Sequence, residues 1–232
     1  MTVERARFTI RLEPVTPLTV WSGRDLMVGV DAVVREGKLY VIDLDELLKT
    51  LELREVEGYI PRITKAGPEA ALKLLESLVR QALGRVGLDR VAKLAVDCVD
   101  TPSLSERVAE INPSIVPASG LKGYIRTAIL LEMLKGVENL KDVLSSGVNV
   151  YTEPKDMGVG LEARLLRRPR LRKQGGFVDL LQFITLSEPE ASNVVFKVRR
   201  FYVLELPGLN RVTERLVISL DSGVLRLSLI HI

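Results

Sequence analysis

An α+β fold, with strands and helices interspersed, is what this 232-residue sequence predicts. Three observations carry that expectation. Short segments alternate apolar and charged residues with a period of two, longer ones repeat apolar residues at helical spacing, and turn-forming residues separate them. No internal repeat or low-complexity segment interrupts the pattern.

The elements follow in order. RFTIRLE (7–13) sets Phe8, Ile10 and Leu12 against Arg7, Thr9 and Arg11, the pattern of a half-buried strand. A Pro-rich corner covers 14–17, WSGR (21–24) reads as a loop tip, and Gly29 permits a bend before Asp31. KLYVI (38–42) is a second strand, and Asp43 behind it can cap the short helix LDELLKTL with Glu46 at its third position. PEAALKLLESLVRQAL (68–83) is the clearest helix: Pro68 suits its first position, and Leu72, Leu75, Val79 and Ala82 share a face. KLAVDCV (93–99) is a further strand. A helix then keeps Leu121, Ile125, Ala128, Ile129 and Met133 on one side and stops near Gly136. VLSSGVNVYTEPKDMGVG (143–160) reads as loop. DLLQFITL (179–186) and NVVFKVRRFYVLEL (193–206) read as strands joined by SEPEAS. VTERLVISL and VLRLSLI flank Asp221-Ser222-Gly223 as the arms of a hairpin.

Composition narrows the function. Hydrophobic residues make up 47% and charged residues 27%, a globular profile too apolar for a disordered chain. No apolar run approaches the ~18 residues of a membrane span. MTVERARFTIRLE lacks the apolar stretch of a signal peptide, so neither a membrane partner nor export is expected. A single Cys, Cys98, fits a reducing, cytoplasmic location. With one Cys and one His, His231, zinc clusters and His-based triads drop out. No cofactor and no metal site is expected. Net charge is +3 and the pI is about 9.0, mildly basic, so the distribution of charge decides what it can bind.

Two segments carry chemistry suited to a polyanion. In VPASGLKGYIRTAIL (116–130), Ser119, Gly120, Leu121, Lys122 and Gly123 stand where a helix leaves its first N–H groups unpaired, a setting that accepts a phosphate. The order of Lys and Gly is not that of a nucleotide-binding P-loop. GLKG does satisfy the backbone-clamping GxxG pattern, which is short and unspecific. The residues alone leave two readings open: a phosphate site, or an ordinary helix start capped by Ser119 or Gly120 with Lys122 in solvent. The second segment, RLLRRPRLRK, holds Arg or Lys at Arg164, Arg167, Arg168, Arg170, Arg172 and Lys173. It is a solvated face or a nucleic-acid track. No carboxylate interrupts the run after Glu162, which favours the track, because the run repels itself unless an anion is near. Aromatics are too few for base-stacking readout, so contact falls mainly on phosphate and sugar. Phe196, Phe201 and Tyr202 read as core residues, and Trp21, in a polar loop, either meets a partner or folds back onto apolar surface. Among the carboxylates, Asp31 beside a glycine bend is the candidate for metal-assisted catalysis; turn closure is the commoner role for such a residue.

IVPASGLKGYIRTAIL resembles the I-P-G-S-S-x-K-G-x-x-R signature of the RAMP superfamily, the RNA-binding subunits of CRISPR–Cas complexes, with Lys122, Gly123 and Arg126 matching in place. PLTVWSG resembles that family's P-L-H-I-G-S-G, and KLYVIDLDELL its K-L-Y-V-I-D-x-x-K-L, which points to the branch forming subunit five of the type III-A Csm complex. DLLQFITLSEPEASN resembles its later D-x-F-x-x-L-x-V-S-D-S segment. The resemblance spans roughly 7–206; Trp21 and Gly120 depart from it.

The resemblance implies a ferredoxin-like (RRM-like) RAMP core with helical insertions. It places an N-terminal domain over 1–160, with a helical insertion over about 44–112, and a second, truncated RRM-like β-rich region over 161–232. It implies a non-catalytic subunit that binds CRISPR RNA among other Csm subunits, caps the 3′ end of that RNA and supports its maturation through partner (host) ribonucleases in antiviral defence. Ser119–Gly123, Arg126 and the 164–173 cations would contact the RNA. The alternatives are a metal-dependent RNA endonuclease of the RAMP backbone type using Asp31, and a purely structural assembly module.

Overall fold

The computed structural model describes residues 6–149, 151, 158–169, 177–204 and 212–231. It is an α+β protein whose residues fall into two compact units interleaved along the chain. Unit 1 comprises Met1–Leu12, Val116–Ala191 and Leu225–Ile232, and unit 2 comprises Glu13–Ile115 and Ser192–Val224. Among the described residues no helix is long and apolar enough to cross a membrane.

Unit 2 is built on a twisted sheet. Its strands are β2 (Trp21–Met27), β3 (Ala32–Arg35), β4 (Lys38–Ile42), β5 (Ala92–Cys98) and β6 (Arg107–Ile111), with parts of β10 (Glu190–Leu204) and β11 (Val212–His231), whose labels follow chain order. They lie in the order β2-β6-β11-β10-β5-β4-β3. The outer pairs β2/β6, β3/β4 and β4/β5 are antiparallel, while β5/β10 and β6/β11 are parallel. Leu216, Val217, Ile218, Ser219 and Leu220 of β11 are all buried, as a central strand covered on both faces demands. Ser219 meets that burial by donating its hydroxyl to the Lys197 carbonyl at 3.2 Å.

Four helices, α1 (Leu44–Leu48), α2 (Leu53–Lys65), α3 (Pro68–Val86) and α4 (Leu88–Val91), occupy the chain between β4 and β5. Asp43 caps α1 by accepting from the Asp45 and Glu46 N–H groups at 3.1 Å each. Pro68 opens α3, whose Val79 and Ala82 pack on Ile42, Leu47, Leu88 and Val91 in one core cluster. Gly29 has φ +101, and a Cβ there would lie 2.8 Å from Leu104, so the bend after β2 requires glycine.

Unit 1 is smaller. Its antiparallel sheet pairs the C-terminal part of β11 with β1 (Ala6–Leu12) on one side and with β9 (Ile184–Leu186) on the other. A two-stranded ribbon joins β7 (Arg167–Pro169) to β8 (Phe177–Asp179), followed by a 3-10 turn over Leu180–Phe183. The helices are α5 (Ala118–Lys135), α6 (Leu140–Gly147) and α7 (Val159–Leu166). Val116, Val143, Leu166, Leu181, Leu225 and Leu227 are buried.

Several local expectations are corrected. WSGR is not a loop tip but the start of β2, and the register slips between Trp21 and Asp25, the irregularity that Gly23 at φ +94 accommodates. Trp21 is 48% exposed, and the Arg215 guanidinium stacks over its ring at 4.3 Å. The segment from 143 is not all loop: α6 runs to Gly147, where it meets α7 so closely that a Cβ on Gly160 would lie 2.8 Å from the Gly147 carbonyl oxygen. Asp221-Ser222-Gly223 does not fold back as a hairpin. The chain stays extended through β11 because Asp221 is held by Lys197 and Arg199, and Gly223, at φ +144, lets the Val194 backbone approach. DLLQFITL is broken into β8, the 3-10 turn and β9. Tyr202, expected in the core, is exposed.

Candidate nucleic-acid interface

The SGLKG motif lies inside a helix rather than in front of one. α5 starts at Ala118 with Pro117 as its N-cap, whose carbonyl accepts from the Leu121 N–H at 3.2 Å. Neither Ser119 nor Gly120 is the cap, because Pro117 already supplies the extended backbone a cap needs (φ −58, ψ 138) and cannot itself donate. Ser119 and Gly120 therefore occupy the first turn, where N–H groups have no partner within the helix. The Ala118 N–H points at the Glu188 carboxylate, 3.4 Å away, so a negative group of the chain itself already stands at this helix end.

Gly120 and Gly123 have no internal explanation. A Cβ at either would meet nothing within 4 Å, and neither has a positive φ. Glycine inside a helix costs about 0.5–1 kcal/mol relative to alanine. Both glycines leave the helix backbone bare on a surface that continues through Tyr124, 75% exposed, Thr127, Ala128 and Leu131. Lys122 is half-buried in a cleft of about 190 Å³ that it shares with Ala118, Ser119, Ile184, Thr185 and Leu186. Among the described residues its ammonium has neither a hydrogen bond nor an ion pair.

Arg126 has a different position. Its guanidinium donates to Glu162 of α7 at 2.8 Å and to Asp179 of β8 at 2.7 Å, tying three elements together. Burial works against the Asp179 carboxylate. Hydrogen bonds from Arg126 and the Leu181 N–H, together with the charges of Arg126 and Arg167, outweigh it and hold the group below its usual range.

The basic run does not form one uniform surface. Arg164 sits in the last turn of α7 and donates to the Ser146 hydroxyl at 2.8 Å. Arg167 and Arg168 belong to β7, and Arg167 pairs in register with Asp179 across the ribbon. Arg170, Arg172 and Lys173 lie outside the described residues. The charge of Arg167 thus acts on a carboxylate twelve positions along the chain, which a local scan of the run does not reveal. Glu162, Asp179 and Glu188 are the residues that sequence reasoning missed here; their partners lie 36, 53 and 70 positions away, beyond any periodic signal.

Asp31 belongs to unit 2 and closes the bend between β2 and β3. One carboxylate oxygen accepts from Arg24 at 2.9 Å and the other from the Met27 N–H at 3.0 Å. Its side chain is 19% exposed beside a cleft of about 480 Å³ that also holds Arg24, Asp25 and Arg107. Among the described residues no group of three or more His, Cys, Asp or Glu is placed to hold a metal ion.

No family model matches the chain, and no curated protein matches it. Among solved structures, its fold is shared with the crystal structure of T. onnurineus Csm5. The TM-score is 0.63 at 18% identity, over 96% of this chain and 67% of that one. It is also shared with a chain of the cryo-EM structure of a Csm–crRNA–target RNA ternary complex of a type III-A CRISPR–Cas system. There the TM-score is 0.57 at 17% identity, over 94% of this chain and 62% of that one. The chain thus has the Csm5 fold and spans about two thirds of the length of each neighbour.

Proposed function

We propose that this chain is an RNA-binding RAMP subunit of the type III-A Csm kind, subunit five, which caps the 3′ end of the CRISPR RNA and supports its maturation without cutting RNA itself. The finer description of the fold as a ferredoxin-like core with helical insertions belongs to the same proposal. So does a place among other Csm subunits and host ribonucleases.

The observation that carries the reading is the pair Gly120 and Gly123, set on an exposed helix with open space above both, and between them Lys122, unpaired among the described residues. A helix that gives up stability at two positions with no internal benefit leaves room for something outside to approach its backbone. The Lys122 ammonium and the first-turn N–H groups of Ser119 and Gly120 suit a phosphate. A phosphate arriving there displaces the Glu188 carboxylate from the Ala118 N–H. In this reading Lys122 and the backbone of Ser119–Gly123 contact RNA, and Arg126 positions α5 against α7 and β8. The cations from Arg164 to Lys173 extend the track. The Csm5 fold supports the same subunit, and the ternary complex that shares the fold contains crRNA and target RNA.

A native-gel titration with single-stranded RNA and with single-stranded DNA of the same sequence, each at two salt concentrations, tests the reading. The expected result is salt-sensitive binding that prefers RNA and leaves it intact. Absence of RNA binding, or metal-dependent cleavage abolished by Asp31→Asn, would contradict it.

A further inference from the structure

Trp21 is the only tryptophan of the chain, and β2 presents it half exposed in unit 2. An indole ordinarily buries most of its surface, and Ile111, the cross-strand partner of Trp21, is indeed buried. Trp21 differs because the register slips between it and Asp25, around Gly23 at φ +94, and a bulge re-aims the side chains beside it. The ring is nevertheless held in place. Its indole N–H donates to the Arg24 carbonyl at 2.9 Å, and the Arg215 guanidinium lies 4.3 Å from the ring centroid. Arg215 is fixed in turn by the Asp25 carboxylate, to which it donates at 2.6 Å.

These contacts decide which part of the ring meets water. One face lies under Arg215 and the N–H edge is turned to the backbone, so the exposure falls on the opposite face and the outer edge. The one polar atom of the indole is already satisfied, and what remains in solvent is apolar π-surface on a ring that the fold has fixed. Such surface is unfavourable in water, and the bulge that exposes it also needs a glycine in the left-handed region. The side chains around it are charged. Gly23, Arg24 and Asp25 line the cleft of about 480 Å³ together with Asp31 and Arg107. Both of its carboxylates are engaged, Asp25 by Arg215 and Asp31 by Arg24, while Arg107 is exposed and has no ion pair among the described residues.

We infer that Trp21 is a stacking platform for one base of a single-stranded RNA. The inference rests on the RNA-binding reading and gives unit 2 a contact of its own, made to a base rather than to a phosphate. A base laid on the open face completes a stack of base, indole and guanidinium, and removes the apolar surface from water. Every base has a π-face, so one such platform adds affinity without reading sequence, as suits a chain with few aromatics. Because Arg24 and Arg215 already hold the ring, little side-chain freedom is lost when the base arrives. Arg107, in the cleft that begins two residues from Trp21, is the cation placed to meet a phosphate flanking that base.

With a single tryptophan, the intrinsic emission of the full chain reports on Trp21 alone. The test titrates the chain with a mixed-sequence single-stranded RNA and with inorganic polyphosphate, which carries phosphates but no bases, and follows that emission. Anisotropy of a labelled single-stranded RNA across a salt series measures binding independently for the full chain, Trp21→Ala and Trp21→Phe. RNA is expected to quench the emission in step with binding, and polyphosphate to leave it unchanged. Trp21→Ala is expected to bind about tenfold more weakly at every salt concentration. Its slope of log affinity against log salt stays that of the parent, since no phosphate contact is removed. Trp21→Phe, which keeps a ring but no N–H, is expected to recover most of the loss. RNA binding without quenching, quenching matched by polyphosphate, or a Trp21→Ala variant that binds as the parent does overturns this inference and leaves the RNA-binding reading standing. A Trp21→Phe variant as weak as Trp21→Ala assigns the loss to the fold around Arg24 and overturns the inference too. A full chain that binds no RNA overturns both.

Discussion

Removing the Arg126 guanidinium leaves two carboxylates, Glu162 and Asp179, without the cation they share. The three side chains are 28–37% exposed, so water softens the loss, and Arg126→Ala is expected to cost about 1–2 kcal/mol. Thermal melting checks this; an unchanged midpoint would show the bridge to be ornamental. The same bridge sets a pH dependence. Asp179 is held below its usual pKa as described, and so is Asp221, through a hydrogen bond from Lys197 ahead of that from Arg199 and against the opposing effect of burial. A depressed folded-state pKa means that the unfolded chain takes up protons first as the pH falls. The contribution of both groups is therefore complete above about pH 4, the unfolded carboxylate value, and is lost as the pH drops through their lower folded values. Melting temperature is expected to fall steeply below about pH 4, and less steeply in Arg126→Ala. Equal steepness in the two proteins would contradict the assignment to Asp179. Gly29→Ala is expected to destabilise by more than about 1 kcal/mol, because φ +101 disfavours any Cβ and Leu104 stands 2.8 Å from it.

At the scale of elements, α5 makes the sharpest prediction. Gly120→Ala and Gly123→Ala both place a methyl group in open space on a helix. Each is expected to raise stability, by about 1 kcal/mol at Gly123 and less at Gly120 in the first turn, while weakening RNA binding. Calorimetry and the anisotropy titration check the two halves separately. A stabilised variant that binds RNA as the parent does would remove the reason offered for the glycines. Elements were legible in the sequence where local chemistry sufficed. Pro68 and the spacing of Leu72, Leu75, Val79 and Ala82 marked α3, and Asp43 marked the start of α1. α6 was not legible, because Ser145-Ser146-Gly147 is turn chemistry that tertiary contact overrides: Gly147 is the point where α7 approaches. The strand β11 hid for a similar reason. Asp221-Ser222-Gly223 carries a hairpin signal, and the pairing of β11 with strands far along the chain, together with the ion pairs from Lys197 and Arg199 more than twenty residues back, keeps it extended.

At the scale of the whole molecule, the α+β class was legible from the two periodicities, whereas the interleaving of two units was not. It depends on the parallel pairings β5/β10 and β6/β11, which join segments about a hundred residues apart. The candidate site shows the same division. Lys122 and the two glycines were visible as a motif, while the carboxylates that engage Arg126 and stand at the start of α5 became visible only once distant segments were brought together. A net charge of +3 spread over 232 residues says little about affinity, because many cations are neutralised inside the fold. In the proposed reading what governs binding is the cation that, among the described residues, has no carboxylate partner at the start of α5, Lys122. The most direct measurement is therefore the salt dependence of single-stranded RNA binding by the full chain and by Lys122→Ala. The variant is expected to bind more weakly and to show a slope shallower by about 0.7 to 1 unit, the change that follows when one phosphate fewer is neutralised. A slope identical to that of the parent protein would mean that no phosphate is met at the start of α5.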